Sequence, residues 1–261
     1  MELTPQPLTA EDRAVLQPVA DRLRRLVATT TTNLVHDATY KPVADSRIDT
    51  ATKAKLQDAY ELARQRLVSA EDHLRSILTL LAPDALLPQF SLFTLIRGAA
   101  VATVHARHLL DPNIDEGIRL KRGLSARLEN LRQQQKVHPE VQGSFYDDRT
   151  EHLRKRAATN GVELVRWPTD TELFDTHMPE VGKTYFQYLS GYAHSLPWAQ
   201  TPISRAQPSD DPDIVLVPTA VDVATLAAVL NGALSLYDET VGFFLGHGGY
   251  PAMVWTEAKK G

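Results

Sequence analysis

The chain has 261 residues, a formal net charge of −4, 43% hydrophobic and 23% charged residues, and no cysteine. This balance supports a packed core and excludes a disordered polymer, and the missing cysteines exclude disulfides, thiolate metal sites and a cysteine nucleophile. Residues 1–11 carry no basic stretch followed by an apolar one, and no apolar run reaches the ~18 residues of a membrane span, so a cytoplasmic protein with no membrane partner is expected.

Helical periodicity continues along the chain without a repeat or a low-complexity linker. It predicts one all-α domain over residues 1–261, a bundle of about six to seven helices with its core at about 50–245 and a long central hairpin. Thr9 reads as an N-cap with acids in the first turn behind it, and Leu16, Val19, Leu23 and Leu26 continue at helical spacing, with a bend expected at Pro18. Residues 36–46 read as loop. After the cap candidates Asp49 and Thr50, the series Leu56, Tyr60, Ala63, Leu67, Ala70, Leu74, Ile77, Leu81 alternates steps of four and three, the stripe of a long helix that ends before Pro83.

Ser91 opens a third helix to Leu110 that is apolar on every side and small at its centre, residues 98–103, as suits the middle of a bundle. Asp111-Pro112-Asn113 closes it and caps a fourth, expected over 114–136 with Ile118, Leu120, Leu124, Leu128 and Leu131 inward and its basic residues outward. A shorter helix follows at 146–158, stopped by Asn160-Gly161. Residues 162–167 read as irregular or extended, Thr169 as the cap of a helical turn, and 183–196 as a buried helix with a broad apolar face of Tyr185, Tyr188, Leu189 and Tyr192. Residues 199–218, rich in proline, serine and aspartate, read as an exposed excursion with an extended piece at 214–217, before a last helix at about 220–245.

No phosphate-binding glycine loop, nucleophile elbow, His-Glu-x-x-His or dinucleotide pattern occurs, so no cofactor is expected. No metal site is expected either: Glu71-Asp72-His73 and Glu151-His152 are sequence neighbours that point about 100° apart on a helix, and His36-Asp37 stands alone. Three groups of residues remain. Arg97, Val101, His105 and His108 share a broad face of the third helix, where a buried arginine needs a charged or hydrogen-bonding partner. Ser190 and His194 lie four apart on one helix face, next to the aromatic set Tyr188, Tyr192 and Trp198. Residues 119–136 hold six basic side chains, Arg119, Arg122 and Arg127 among them, against the single acid Glu129, and more basic residues follow up to Arg156.

The runs Ser91-Leu92-Phe93-Thr94-Leu95-Ile96-Arg97-Gly98-Ala99-Ala100, Leu109-Leu110-Asp111-Pro112 and Tyr188-Leu189-Ser190-Gly191-Tyr192-Ala193-His194 resemble a group of uncharacterised helical proteins from high-GC bacteria. That group is distantly similar to the HEPN-like superfamily, and the likeness spans about residues 60–245. The resemblance implies a helical bundle, often dimeric, many of whose members are metal-independent ribonucleases of toxin and defence systems. In active members an arginine and a histidine four to six residues apart on one helix act at the scissile phosphate. Here seven residues separate Arg97 from His105, and Val101 stands where the group carries an acid.

Three functions fit these residues. The leading expectation is a non-catalytic interaction or regulatory protein with a protein partner or a homodimer, in which Arg97, Ser190 and His194 hold helices in register. The alternative is a metal-independent HEPN-like ribonuclease or nucleotide-directed enzyme, with Arg97 stabilising phosphate charge, His194 as acid or base, Ser190 or Tyr188 orienting it, and Arg119, Arg122 and Arg127 gripping RNA along the basic stretch 119–156. The third is an apolar-ligand pocket lined by Tyr188, Tyr192 and Trp198.

Overall fold

The computed structural model describes residues 9–30, 50–82, 88, 90–140, 144–194, 196–200, 207–208, 215–216, 222–250 and 255. The loop read at 36–46, the cap at Asp49, the His36-Asp37 dipeptide and most of the 199–218 excursion lie outside the described residues.

The fold is an all-α bundle. Among the described residues its helices are α1 (Ala10–Thr29), α2 (Thr50–Leu80), α3 (Ser91–Leu110), α4 (Glu116–Val137), α5 (Phe145–Thr159), α6 (Asp170–His177), α7 (Gly182–Ala193), the four-residue α8 (Pro197–Gln200) and α9 (Val223–His247). Two short strands, β1 (Gln207–Pro208) and β2 (Val215–Leu216), pair antiparallel, so the extended piece expected at 214–217 is present at its centre. No described helix is long and apolar enough to cross a membrane.

Local chemistry explains most boundaries. Thr9 caps α1 through a reciprocal capping box with Asp12, and Thr169 does the same for α6 with Glu172. α4 begins two residues later than the sequence suggests. Asp115, not the Asp111-Pro112-Asn113 turn, is its N-cap and accepts from the Ile118 N–H, while Asp111 accepts from the Asn113 N–H at 3.0 Å. α7 ends at Ala193 rather than 196, with His194 as its C-cap.

α2 and α3 form the central hairpin and make the most extensive helix contact in the fold. The expected stripe on α2 is buried from Leu56 to Ile77. The small centre of α3 lets α2 come close: a Cβ on Gly98 would fall 2.6 Å from the His73 imidazole. α9 and α1 cover one side of this pair, α6 and α7 another. Phe93, Phe174, Tyr237 and Phe244 are fully buried in the resulting core, each contributing roughly 1.5–3 kcal/mol of burial free energy. A second, smaller hydrophobic cluster joins Leu56 to Leu120, Leu124, Leu128 and Leu131 of α4 and to Tyr146, Leu153 and Ala157 of α5.

Two side chains of α4 reverse the expected orientation. Ile118 is 41% exposed, whereas Arg119 is buried. The reason lies at the C-terminus of α3, whose last carbonyls have no partner within the helix. Arg119 donates to the Asp111 carbonyl (2.8 Å), Arg122 to the His108 carbonyl (2.7 Å), and His247 of α9 to the Leu110 carbonyl (2.8 Å). Cationic donors at a helix C-terminus also meet its partial negative charge, so these arginines turn inward.

Candidate functional site

The polar groups of the bundle converge where α3, α6 and α7 meet. Arg97 and His105 project from α3 toward Asp170, the first residue of α6, which the Thr169 capping box fixes in place. His105 Nε2 lies 2.9 Å from Asp170 Oδ1, and Arg97 Nη2 lies 4.0 Å from Oδ2. The Trp167 indole N–H, which can only donate, points at His105 Nδ1 at 3.0 Å. Nδ1 is therefore the acceptor, Nε2 carries the proton, and His105 donates to Asp170. The hydrogen bond from His105, reinforced by the charges of Arg97 and Arg66, outweighs burial and holds the Asp170 carboxyl below its usual range.

Arg97 is held on two further sides. Its Nε donates to Ser190 Oγ of α7 at 3.2 Å, and its guanidinium lies over the Phe186 ring, 5.3 Å from the centroid. The structure thus brings Arg97 and Ser190 together. His194 does not join them: it is exposed at the end of α7, and among the described residues no hydrogen bond links its side chain to Arg97 or Ser190. The histidine that shares a partner with Arg97 is His105, and the link is Asp170, an acid contributed by another helix rather than from near Val101.

One turn further along α3, His108 Nδ1 lies 3.1 Å from His177 Nε2 of α6, and the His108 ring stands edge-on to Trp167. Burial pushes both histidines down, His108 to about 3 and His177 to about 4, and the Arg122 charge adds to the effect. Both rings are therefore uncharged near neutral pH.

The chain has no match among family models and no significant match among curated proteins or solved structures.

The remaining candidates separate by environment. Tyr188 and Tyr192 share a hydroxyl hydrogen bond of 3.1 Å, and Tyr192 stacks on Phe93 with centroids 3.9 Å apart. These rings pack on one another as core. Trp198 closes over Gly191, where a Cβ would lie 2.6 Å from the indole, and remains 55% exposed. Of the three arginines expected to grip phosphate, Arg119 and Arg122 serve the α3–α4 turn, and Arg127 pairs with Asp58 of α2 at 2.9 Å. Arg156 of α5 binds the other oxygen of Asp58. Between α4 and α5 lies a cavity of about 450 Å³ whose wall includes Arg127, Arg149 and Arg156. No cluster of three or more metal-ligating side chains occurs among the described residues.

Sequence reasoning missed Asp170, Trp167, His177 and Asp58. The Thr169-x-x-Glu172 capping box does mark the start of α6, and with it the rigid position of Asp170, but no local signal indicates that this start faces Arg97.

Proposed function

We propose that the chain is a non-catalytic interaction or regulatory protein on a HEPN-like bundle, in which the Arg97–Asp170–His105–Trp167 network clamps α6 and α7 onto α3. The observation that carries this reading is the position of His105 between two partners. Trp167 donates to the nitrogen a general base would use, and Asp170 takes the proton on the other. Arg97 is similarly engaged by Ser190, Asp170 and Phe186. A half-buried polar network in which each member is paired holds its elements in one geometry. The contact surface lies just past the C-terminus of α7, where Leu196 (40%) and Trp198 (55%) stand exposed; an exposed tryptophan beside a leucine has the composition of an interface anchor. A protein partner or a second copy of the chain would bind there.

A metal-independent ribonuclease is the second reading, favoured by one observation. The Arg97 and Asp170 side chains keep 27% and 33% of their surface in solvent, which leaves a phosphate a route to the guanidinium. Labelled single-stranded RNA incubated in EDTA with wild type, Arg97→Ala and His194→Ala separates the two. Under the clamp reading no variant alters the RNA, and Arg97→Ala lowers the melting temperature. Cleavage by the wild type that a still-folded Arg97→Ala variant loses, and that His194→Ala, outside the network, keeps, would overturn that reading and establish a ribonuclease at Arg97.

A further inference from the structure

The cavity between α4 and α5 has no part in the Arg97 network. We propose that it is a binding site for a purine mononucleotide, with the phosphate held by Arg127, Arg149 and Arg156 and the base by the carboxamides of α4.

Three observations support this. The first is the arrangement of charge. Asp58 holds Arg127 with one oxygen and Arg156 with the other, so a single carboxylate fixes two guanidiniums side by side and neutralises one of them. Arg149 lies two turns before Arg156 on the same face of α5, its guanidinium 4.4 Å from the centroid of the Phe145 ring. Among the described lining residues Asp148 is the other carboxylate, so three guanidiniums face two acids. Guanidiniums already held in position bind a phosphate with little further loss of side-chain freedom, and their planar forks match its oxygens.

The second is the character of the rest of the wall. Leu131 and Leu153 form an apolar floor and belong to the α4–α5 hydrophobic cluster. Asn130 and Gln134, four residues apart on α4, present carboxamides from one face of that helix. A carboxamide offers a donor and an acceptor side by side, the pairing that reads the N6 and N7 edge of adenine. The third is size: about 450 Å³ falls within the roughly 300–1,000 Å³ of small-molecule sites and suits a mononucleotide.

The test is isothermal titration calorimetry of the full chain with AMP, adenosine, inorganic phosphate and a short single-stranded RNA, in phosphate-free buffer. Arg149 is the variant of choice because it is exposed, so Arg149→Ala should fold; a thermal melt checks this. AMP is expected to bind more tightly than adenosine or phosphate. Arg149→Ala should weaken AMP by roughly tenfold to a hundredfold, the loss of a charge-assisted contact. Asn130→Ala should weaken AMP while leaving phosphate binding as it was. The proposal is overturned if AMP gives no binding, if Arg149→Ala leaves its affinity unchanged, if inorganic phosphate binds as tightly as AMP, or if the RNA binds far more tightly and displaces it. None of these outcomes bears on the Arg97 clamp.

Discussion

Acidification from about pH 7 to about pH 5 should destabilise the fold through the His108–His177 pair. In the folded chain burial holds His108 near 3 and His177 near 4, against 6.5 for an unburied imidazole. Above 6.5 neither folded nor unfolded chain protonates these rings, and their contribution is fully present. Below 6.5 the unfolded chain takes up protons that the folded chain refuses, so stability falls with pH until the folded rings titrate near 4 and 3. For one such group the loss between pH 7 and pH 5 is about 2 kcal/mol. His108, only 8% exposed, counts nearly in full. His177 is more open and is discounted for solvent screening, giving about 3 kcal/mol for the pair. His247, also lowered by burial, acts in the same direction. Asp111 and Asp170 are held below the usual carboxylate range and lose their contributions only at lower pH, so this window belongs to the histidines. Urea unfolding followed by circular dichroism at the two pH values measures the difference, and His108→Leu should remove more than half of it. Equal wild-type stability at both pH values, or an unchanged difference in the variant, would refute the reasoning.

Three further perturbations test the packing. A Cβ on Gly182 would fall 2.0 Å from the Phe174 carbonyl oxygen, a backbone atom that cannot swing away, so Gly182→Ala should cost about 2–3 kcal/mol in a chemical melt. An unchanged midpoint would mean that the α6–α7 turn slides freely. Phe93→Ala should cost about 3–5 kcal/mol, since Phe93 is fully buried and stacked on Tyr192, whereas Trp198→Ala should leave the melt nearly unmoved. Asp170→Asn keeps the shape but removes the charge facing Arg97 and His105, and should cost about 1–2 kcal/mol and shift the fluorescence of the neighbouring Trp167. Unaltered emission and stability would count against the clamp.

The helices were legible because each carries its own repeat: the four-and-three alternation of α2 and the caps at Thr9 and Thr169 are local patterns that folding preserves. The partners of the polar residues were not legible in the same way. Asp170 lies 73 residues beyond Arg97 and Asp58 lies 69 before Arg127, and no periodicity connects such pairs. Arg119 and Arg122 looked like a solvated basic face because sequence cannot show the bare carbonyls at the end of α3 that draw them in. The four-residue spacing of Ser190 and His194 implies a shared helix face only if the helix continues, and α7 ends one residue before His194, which leaves it at the surface.

The division of the apolar side chains into two clusters has a mechanical consequence. α5 rests chiefly on α4 and is tied to α2 at one end, by Leu56 of the shared cluster and by Arg156, which holds Asp58 and the Ala54 and Lys55 carbonyls. It can therefore open as a unit at a free energy below that of global unfolding, and its amides should exchange with solvent before those of α2 and α3. One wall of the cavity is built on this helix, so a ligand seated there would bridge α5 to α4 and slow that exchange first.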